Sequence, residues 1–569
     1  MSKGYLSIIF HAHLPFVRHP EHQDSLEENW LHEALTEVYL PLLSVLEGLV
    51  EDGVDFRLTF SFTPTLLSML LDPFLQARYL QRTERLIALA EKETERTAQQ
   101  PEFHRLAQLY HQRFLNLRDA FANRYGRNLV EAFRKFQELG KIEILGSAAT
   151  HAYLPLLSLN PFAVRAQIQT GIAYGEQVFG RRPEGFWLPE CGYCPEVGRM
   201  LSEEGIRFTI LETHGVTRAE PRPKQGVYAP IYSPSGLAAF GRDPESSRQV
   251  WSSVEGYPGD YDYRDFYRDI AYDLDLDYLR PYIHRDGIRL DTGIKYYRVT
   301  GKTNHKEPYD PERAENKAEI HAGNFILNRQ RQVDYLASVM DRKPLIVAPY
   351  DAELFGHWWY EGPAWVNHLV RKIASGHGSL RLITLSEYLE EYPINQVAAP
   401  AISSWGYEGF NDVWLNGSND WIYPHLHRAA RLMEKLSDGQ RRPGPLAERA
   451  LAQARRELFL AQASDWAFMI NSGAMTEYAT RRTKRHLSRF FRLGEQIQNN
   501  AIDESLLQGW EVQKSWRGRP ARGRGSVPLP RTGRMPVPQR ARRPHHIRPP
   551  SGGFHCFWVP VSVAHERLL

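Results

Sequence analysis

Seven short apolar runs, separated by segments with helical periodicity, constrain the fold of this 569-residue chain more than any other feature. Each run is nearly continuous rather than alternating, which is typical of strands buried on both faces of a parallel sheet. The runs are YLSIIF (5–10), DFRLTFSF (55–62), KIEIL (141–145), GFWLP (185–189), RFTIL (207–211), LAAF (237–240) and PLIVAPY (344–350). Amphipathic segments closed by a glycine lie between several runs, where parallel strands need helical connections. The pattern predicts an α/β fold of the barrel kind.

Two helical regions are longer than strand connections require. Residues from about 75 to 135 predict a helical insertion in the barrel, and residues 425–500 predict a helical bundle that packs on it. We therefore assign residues 1–400 to a catalytic barrel and residues 401–510 to a C-terminal helical domain.

The last segment, residues 511–569, differs in composition from the rest. It contains twelve Arg and Lys against two Glu, a net charge of +10, which leaves −7 for the other residues of a chain whose total is +3. Its many Pro, Arg and Gly residues and its lack of apolar periodicity predict a disordered tail. It is either an arm for nucleic acid or another polyanion, or an appendage without a selected role, and the abrupt change in composition favours the appendage.

Composition and cysteine usage bound the location. Hydrophobic residues make up 42% of the chain, no run approaches the length of a membrane span, and the N-terminus has the wrong flanks for a secretory signal. Three cysteines cannot build a disulfide framework, and the pair Cys191 and Cys194 is only half of a zinc site. We expect a cytoplasmic protein without a membrane partner, with two incidental thiols at this CxxC.

Polar and aromatic side chains follow the predicted strands at their carboxyl ends. In parallel barrels the connections at these ends build the active site. The residues are His11 and His13 after the first run, His151 after the third, Glu190 after the fourth, Arg242 after the sixth, and Asp351, His357 and Trp358 after the last. A single such residue is commonly a buried hydrogen-bonding group or a helix cap. Several at one end of a barrel predict a catalytic cleft.

Two carboxylates from different strands, surrounded by Trp and Tyr, indicate glycosidic chemistry. Aromatic rings stack on the flat faces of sugars, and Glu190 and Asp351 can divide the work of nucleophile and acid/base. Carboxylates about 5 to 5.5 Å apart imply retention of configuration, and about 6.5 to 9.5 Å implies inversion.

Five segments carry a family resemblance: HAHLPF, GSAATHAYLPLL, GFWLPECGY, YDAELFGHWWYEG, and the stretch from SSWG to NDVWLN. In order and spacing they resemble the signature regions of glycoside hydrolase family 57, and within it the 1,4-α-glucan branching enzymes. The resemblance implies a (β/α)7 barrel with a helical insertion and a C-terminal helical domain. It also implies a retaining double displacement on an α-glucan such as amylose or glycogen, without a metal or other cofactor.

The same resemblance assigns roles to residues. It places Glu190 as the nucleophile and Asp351 as the acid/base. Substrate contacts are implied for His11, His13, His151, Arg242, His357, Trp358 and Asp465, and aromatic positions along the acceptor cleft for Trp251, Trp405 and Trp414.

Alternatives stay open at this point. The loop at 218–236 is shorter than the mobile, tyrosine-bearing loop of the branching enzymes, and either Tyr228 or Tyr232 would have to replace it. A loop that excludes water favours transfer, so an α-amylase-like hydrolase or a 4-α-glucanotransferase is the first alternative. A metal-dependent polysaccharide deacetylase using the strand-end HxH is the second, and a catalytically silent glucan-binding protein is the third.

Overall fold

The structure is a computed structural model that describes residues 2–251, 256–376, 378–439 and 444–513. Its strands are β1 Gly4–Ala12, β2 Leu58–Phe62, β3 Ile142–Ser147, β4 Gly185–Trp187, β5 Phe208–Leu211, β6 Ile231–Tyr232, β7 Ala238–Gly241, β8 Leu345–Asp351 and β9 Leu380–Leu382. The helices are α1 Glu28–Ala34, α2 Leu40–Glu51, α3 Pro64–Leu70, α4 Pro73–Arg96, α5 Pro101–Asp119, α6 Leu129–Glu138, α7 Leu154–Leu157, α8 Pro161–Phe179, α9 Pro195–Glu203, α10 Thr213–Thr217, α11 Pro244–Trp251, α12 Ile270–Asp273, α13 Leu276–Leu279, α14 Pro311–Val339, α15 Gly362–Ala374, α16 Leu385–Glu391, α17 Ile422–Gly439, α18 Pro445–Ala461, α19 Ser464–Ser472, α20 Thr476–Gln498 and α21 Glu504–Gln513.

The strands form one sheet in the order β6-β7-β5-β4-β3-β2-β1-β8, and β9 also pairs with β1. Every pairing from β7 to β8 along this path is parallel, so these seven strands make the barrel wall. Strand β9 also pairs parallel to β1, whereas β6 pairs antiparallel to β7. The two ends of the path meet where the Asp243 N–H donates to the carbonyl of Val347 in β8, at 2.9 Å. The predicted (β/α)7 barrel is confirmed.

Burial explains why these runs are strands. All nine residues of β1 and all seven of β8 are buried, as expected when helices cover one face of a parallel strand and the barrel interior covers the other. In-register pairing brings His11 opposite Asp351 at the carboxyl ends of these two strands. The two most polar strand ends therefore lie side by side.

A π-helical turn, Leu35–Tyr39, links α1 to α2 and carries buried Glu37 and Tyr39. The region of the predicted insertion consists of α4, α5 and α6.

At the C-terminal side, α17, α18 and α20 pack together, and α19 points its N-terminus at the barrel, where Ser464 N–H donates to the carbonyl of His151. Helix α21 continues to Gln513, beyond the predicted start of the tail at residue 511, and residues 514–569 of that tail lie outside the described part of the chain. Within the described ranges, no helix is both long enough and apolar enough to cross a membrane.

Candidate active site

The backbone at two of the predicted site residues is strained. Glu190 has φ 61° and ψ 22°, Cys191 has φ 51°, and His151 has φ 54°. Such left-handed conformations are unfavourable for non-glycine residues and persist only where the surroundings hold them. Here the strain turns the chain sharply at the carboxyl ends of β3 and β4, so that both side chains face the same region.

Glu190 is held by hydrogen bonds from two distant segments. The indole Nε1–H of Trp405 donates to Glu190 Oε2 at 2.7 Å, and Ser464 Oγ lies 3.3 Å from Oε1. Burial raises the pKa of Glu190 to about 7, although the Trp405 bond opposes the rise; Asp465 raises this pKa further and His13 lowers it. Desolvation therefore outweighs the groups that favour the charged form of Glu190, which are Trp405, His13 and Ser464.

Two histidines join Glu190 through short contacts. His151 Nδ1 lies 2.9 Å from Ser464 Oγ, and its Nε2 lies 3.0 Å from Nε2 of His11. His11 Nδ1 in turn lies 3.3 Å from Ser61 Oγ on β2. Burial lowers the pKa of both imidazoles well below the usual value, and His13 lowers both further. Both rings are therefore neutral near pH 7.

His13 bridges the barrel and the C-terminal helices. Its Nδ1 lies 2.9 Å from Thr63 Oγ1, and its Nε2 lies 2.9 Å from Asp465 Oδ1 on α19. The ring also stacks on His151, with centroids 3.8 Å apart. The predicted site residues His11, His13, His151, Glu190, Trp405 and Asp465 thus form one contiguous cluster.

Asp351 ends β8, buried and directly across from His11. Two residues further on, Glu353 accepts hydrogen bonds from the Tyr39 hydroxyl at 2.5 Å and from the His13 N–H at 3.3 Å. Burial raises the pKa of Glu353 to about 7, so this neighbour is substantially protonated at neutral pH. The strand end thus offers two carboxyl groups in different settings.

Arg242 reaches the cluster from β7. Its guanidinium donates to Glu212 at 2.9 Å and lies 5.6 Å from the centroid of the Trp405 ring. Burial alone would raise the pKa of Glu212, but the positive charge of Arg242 and the hydrogen bonds from Thr213 and Arg242 together outweigh it, so the net shift of this pKa is downward. Trp251 lies beside Trp405, with ring centroids 6.4 Å apart. The Arg242–Glu212 pair and the indole of Trp251 are therefore next to Glu190 through their contacts with Trp405.

Three predicted residues lie apart from this cluster. His357 Nδ1 is 2.6 Å from Glu37 and lines a small cavity of about 30 Å³ whose lining contains neither Glu190 nor Asp351. Trp358 stacks on Phe266 with centroids 5.4 Å apart. Trp414 is only 1% exposed and stacks on Tyr153, so the structure places its ring in packing contacts rather than on the surface of the cleft.

The loop at 218–236 does not bring a tyrosine to the site. Leu345, the first residue of β8, donates its N–H to the carbonyl of Tyr228, and Tyr232 pairs with Ala238, the first residue of β7. The Tyr232 hydroxyl donates to the carbonyl of Pro393. Tyr232 and the backbone of Tyr228 therefore lie near the amino-terminal ends of the strands, opposite the end that carries Glu190. The hydroxyl of Tyr228 accepts a hydrogen bond from Gln332 Nε2 at 3.1 Å.

Sequence reasoning missed Ser464, Ser61, Thr63 and Glu212. Ser464 precedes Asp465 in the ASDW segment, Ser61 is the second-last residue of β2, and Thr63 follows the end of this strand. The sequence does show polar residues at or near the ends of strands, but it does not show which side chain each of them contacts. Among the described residues, no group of three or more His, Cys, Asp or Glu side chains is arranged to hold a metal ion.

Similarity to known proteins now places this geometry in a family. The sequence profile described as "Glycosyl hydrolase family 57" matches residues 7–322, more than half of the chain. The chain belongs to glycosyl hydrolase family 57. A second profile, "1,4-alpha-glucan branching enzyme, C-terminal", matches residues 425–516 of this family 57 protein and includes Ser464 and Asp465.

Family 57 relatives resemble nearly the whole chain. A 1,4-alpha-glucan branching enzyme of Thermococcus kodakarensis is 32% identical over 87% of this chain and 74% of its own length. The crystal structure of a branching enzyme of the same family from Pyrococcus horikoshii superposes with a TM-score of 0.81, at 32% identity over 92% of this chain and 98% of that one. The crystal structure of a protein described as the alpha-amylase AmyC of Thermotoga maritima has a TM-score of 0.85, at 42% identity over 91% and 98%.

Proposed function

We propose that this family 57 protein is a 1,4-α-glucan branching enzyme. The observation that carries the proposal is the participation of the C-terminal helices in the site: the region that matches the branching-enzyme profile supplies Ser464 to Glu190 and Asp465 to His13. The similarity to branching enzymes over nearly the full chain supports the same activity.

In the proposed mechanism Glu190 attacks the anomeric carbon of an α-1,4 linkage. Asp351 protonates the departing glycosidic oxygen, and a glycosyl ester forms on Glu190. In the second half, Asp351 takes the proton of a 6-hydroxyl on an acceptor glucan as that oxygen displaces Glu190. Two inversions retain the α configuration, and the product is an α-1,6 branch.

The ionisation of Glu190 sets the first step. A nucleophile must carry its charge, and with a pKa of about 7 roughly half of the Glu190 carboxyls are ionised at neutral pH. The Trp405 N–H stabilises this charged form and holds the carboxylate in place. Neutral His11 and His151 beside it act as hydrogen-bonding groups rather than as cations.

A second candidate function is α-glucan hydrolysis by the same nucleophile. The 42% identity to a protein described as an alpha-amylase favours it. The contacts of Tyr228 and Tyr232 also favour it, because their hydroxyls bond to Gln332 and to the carbonyl of Pro393 rather than to the cluster around Glu190. An uncovered ester reacts with water more readily than a covered one.

Linkage analysis of the products from amylose separates the two functions. We expect new α-1,6 linkages to accumulate with little increase in reducing ends, and Glu190→Gln to form neither. Reducing ends without α-1,6 linkages would support the hydrolase. Absence of both products with the wild-type protein would contradict the family 57 activity altogether.

We further propose a cytoplasmic location. Cys191 and Cys194 are both buried free thiols, which agrees with a reducing compartment.

A further inference from the structure

A chain of hydrogen bonds runs from β2 to Glu190 and crosses three elements. Its contacts are Ser61 Oγ to His11 Nδ1 at 3.3 Å, His11 Nε2 to His151 Nε2 at 3.0 Å, His151 Nδ1 to Ser464 Oγ at 2.9 Å, and Ser464 Oγ to Glu190 Oε1 at 3.3 Å. Ser61, His11 and His151 are buried, as is Ser464. Because these four side chains are buried, the protons in the hydrogen bonds between them are the N–H and O–H protons of the four side chains themselves.

The number of protons restricts the chain to two arrangements. A neutral imidazole carries one N–H, so in the contact between the two Nε2 atoms one ring donates and the other accepts. If His11 donates there, its Nδ1 accepts from Ser61, and His151 must donate from Nδ1 to Ser464. If His151 donates from Nε2, every one of these bonds reverses.

The two arrangements present different groups to Glu190. In the first, Ser464 Oγ accepts from His151, so its own hydroxyl proton is available for Oε1 of Glu190. In the second, the Ser464 proton is used on His151, and an oxygen lone pair faces Oε1 at 3.3 Å. A carboxylate is stabilised by the first arrangement and repelled by the second, whereas a protonated Glu190 can donate to Ser464 in the second.

We propose that Ser464 is a positioning residue that couples the His11–His151 pair to Glu190, and that the chain points every proton towards Glu190 when this carboxylate is ionised. Ser464 is fixed for the role, because its own backbone N–H donates to the carbonyl of His151 at 3.1 Å. The inference rests on Glu190 being the nucleophile, as proposed above.

Other charged groups around Glu190 act on it without taking part in the chain. His13 from β1 favours its charged form, and Asp465 from α19 opposes it. Arg242 and Glu212 form an ion pair on the far side of Trp405. Asp351 is the last residue of β8, and Glu353 lies two residues after it. These groups stay in place when the Ser464 hydroxyl alone is removed, so a change in the ionisation of Glu190 in that variant is due to this hydroxyl.

The test is the pH dependence of kcat/KM on amylose for Ser464→Ala. The acid limb of this profile reports ionisation of the free enzyme's nucleophile. Loss of a donor to the charged form raises the pKa, so we expect the limb to move up by about one pH unit, with about a tenfold loss below the limb and a small loss above it. Ser464→Thr, which keeps the hydroxyl, should leave the acid limb at its wild-type pH.

Ser7→Ala is the matched control. Ser7 lies on β1 four residues before His11, is fully buried, and its hydroxyl has no hydrogen-bond partner among the residues that the structure describes. The same chemical change there should leave the acid limb in place. A limb that is unchanged or moves down in Ser464→Ala overturns the inference, because it means that the Ser464 proton points at His151.

Failure of the inference can be distinguished from failure of the proposed function. A wild-type protein without activity on amylose, or an active Glu190→Gln variant, contradicts the assignment of Glu190. An inactive Glu190→Gln variant combined with an unshifted limb in Ser464→Ala contradicts only the role of Ser464. The limb position is independent of how much folded protein is present, so reduced stability of a variant does not imitate the expected shift.

Discussion

Replacing Trp405 by Phe should move the acid limb of the pH–activity profile to higher pH. The substitution keeps an aromatic ring beside Arg242 but removes the Nε1–H that donates to Glu190 Oε2 at 2.7 Å. A hydrogen bond to a charged group contributes about 1.5 to 3 kcal/mol, which corresponds to about one to two pKa units. The pKa of Glu190, already raised to about 7, should therefore rise to about 8 or 9.

The expected loss depends on pH in a defined way. At pH 7 the ionised fraction of Glu190 should fall from about one half to between about 9% and 1%, a loss in kcat/KM of about five- to fifty-fold, and the loss should shrink as the pH approaches 9. The assay is kcat/KM on amylose from pH 5 to 9.5, as the ratio of variant to wild type at each pH.

Trp365→Phe is the control for this experiment, because the Trp365 indole is buried in the core and its Nε1 has no hydrogen-bond partner in the described part of the chain. Its acid limb should match that of the wild type. A Trp405→Phe variant whose loss is the same at every pH would refute the reasoning, since it would mean that the indole N–H does not control the ionisation of Glu190.

Four further outcomes are expected. Asp351→Ala should be rescued in part by azide on a substrate with a good leaving group, because only the second half-reaction then needs help; no rescue would contradict the acid/base role. Burial raises the pKa of Glu143 to about 7, so the wild-type protein loses stability as the pH rises from about 4.5 to 7 and this buried carboxyl ionises. The free energy of unfolding of Glu143→Gln, relative to that of the wild type, should therefore increase by about 2 kcal/mol from pH 5 to pH 8 in thermal or urea unfolding. A chain ending at residue 513 should keep its activity and Tm, whereas one ending at residue 503 should lose stability, because Leu507 is fully buried and Arg18 donates to the carbonyls of Val512 and Gln513. Activity should survive exhaustive chelation, and its loss with recovery on adding zinc would support the deacetylase-type alternative.

Individual elements show how far the sequence predicts the fold. All seven apolar runs became parallel strands of the barrel, because a strand buried on both faces has a strong local pattern. Strands β6 and β9 were missed, since they span two and three residues and carry no periodicity. The start of the tail was predicted at residue 511, three residues too early, because α21 continues to Gln513.

The sequence by itself determined which side chains stand at the strand ends, because parallel strands fix that end once their positions along the chain are known. It placed Glu190 and Asp351 in the site for this reason. Only the tertiary structure decided the partners of these groups. Ser464 and Trp405 reach Glu190 across 274 and 215 positions of sequence. Trp414 is buried against Tyr153, and the hydroxyls of Tyr228 and Tyr232 bond to Gln332 and to the carbonyl of Pro393. Local periodicity carries no information about such distances, since which segments meet is settled by the packing of the C-terminal helices on the barrel.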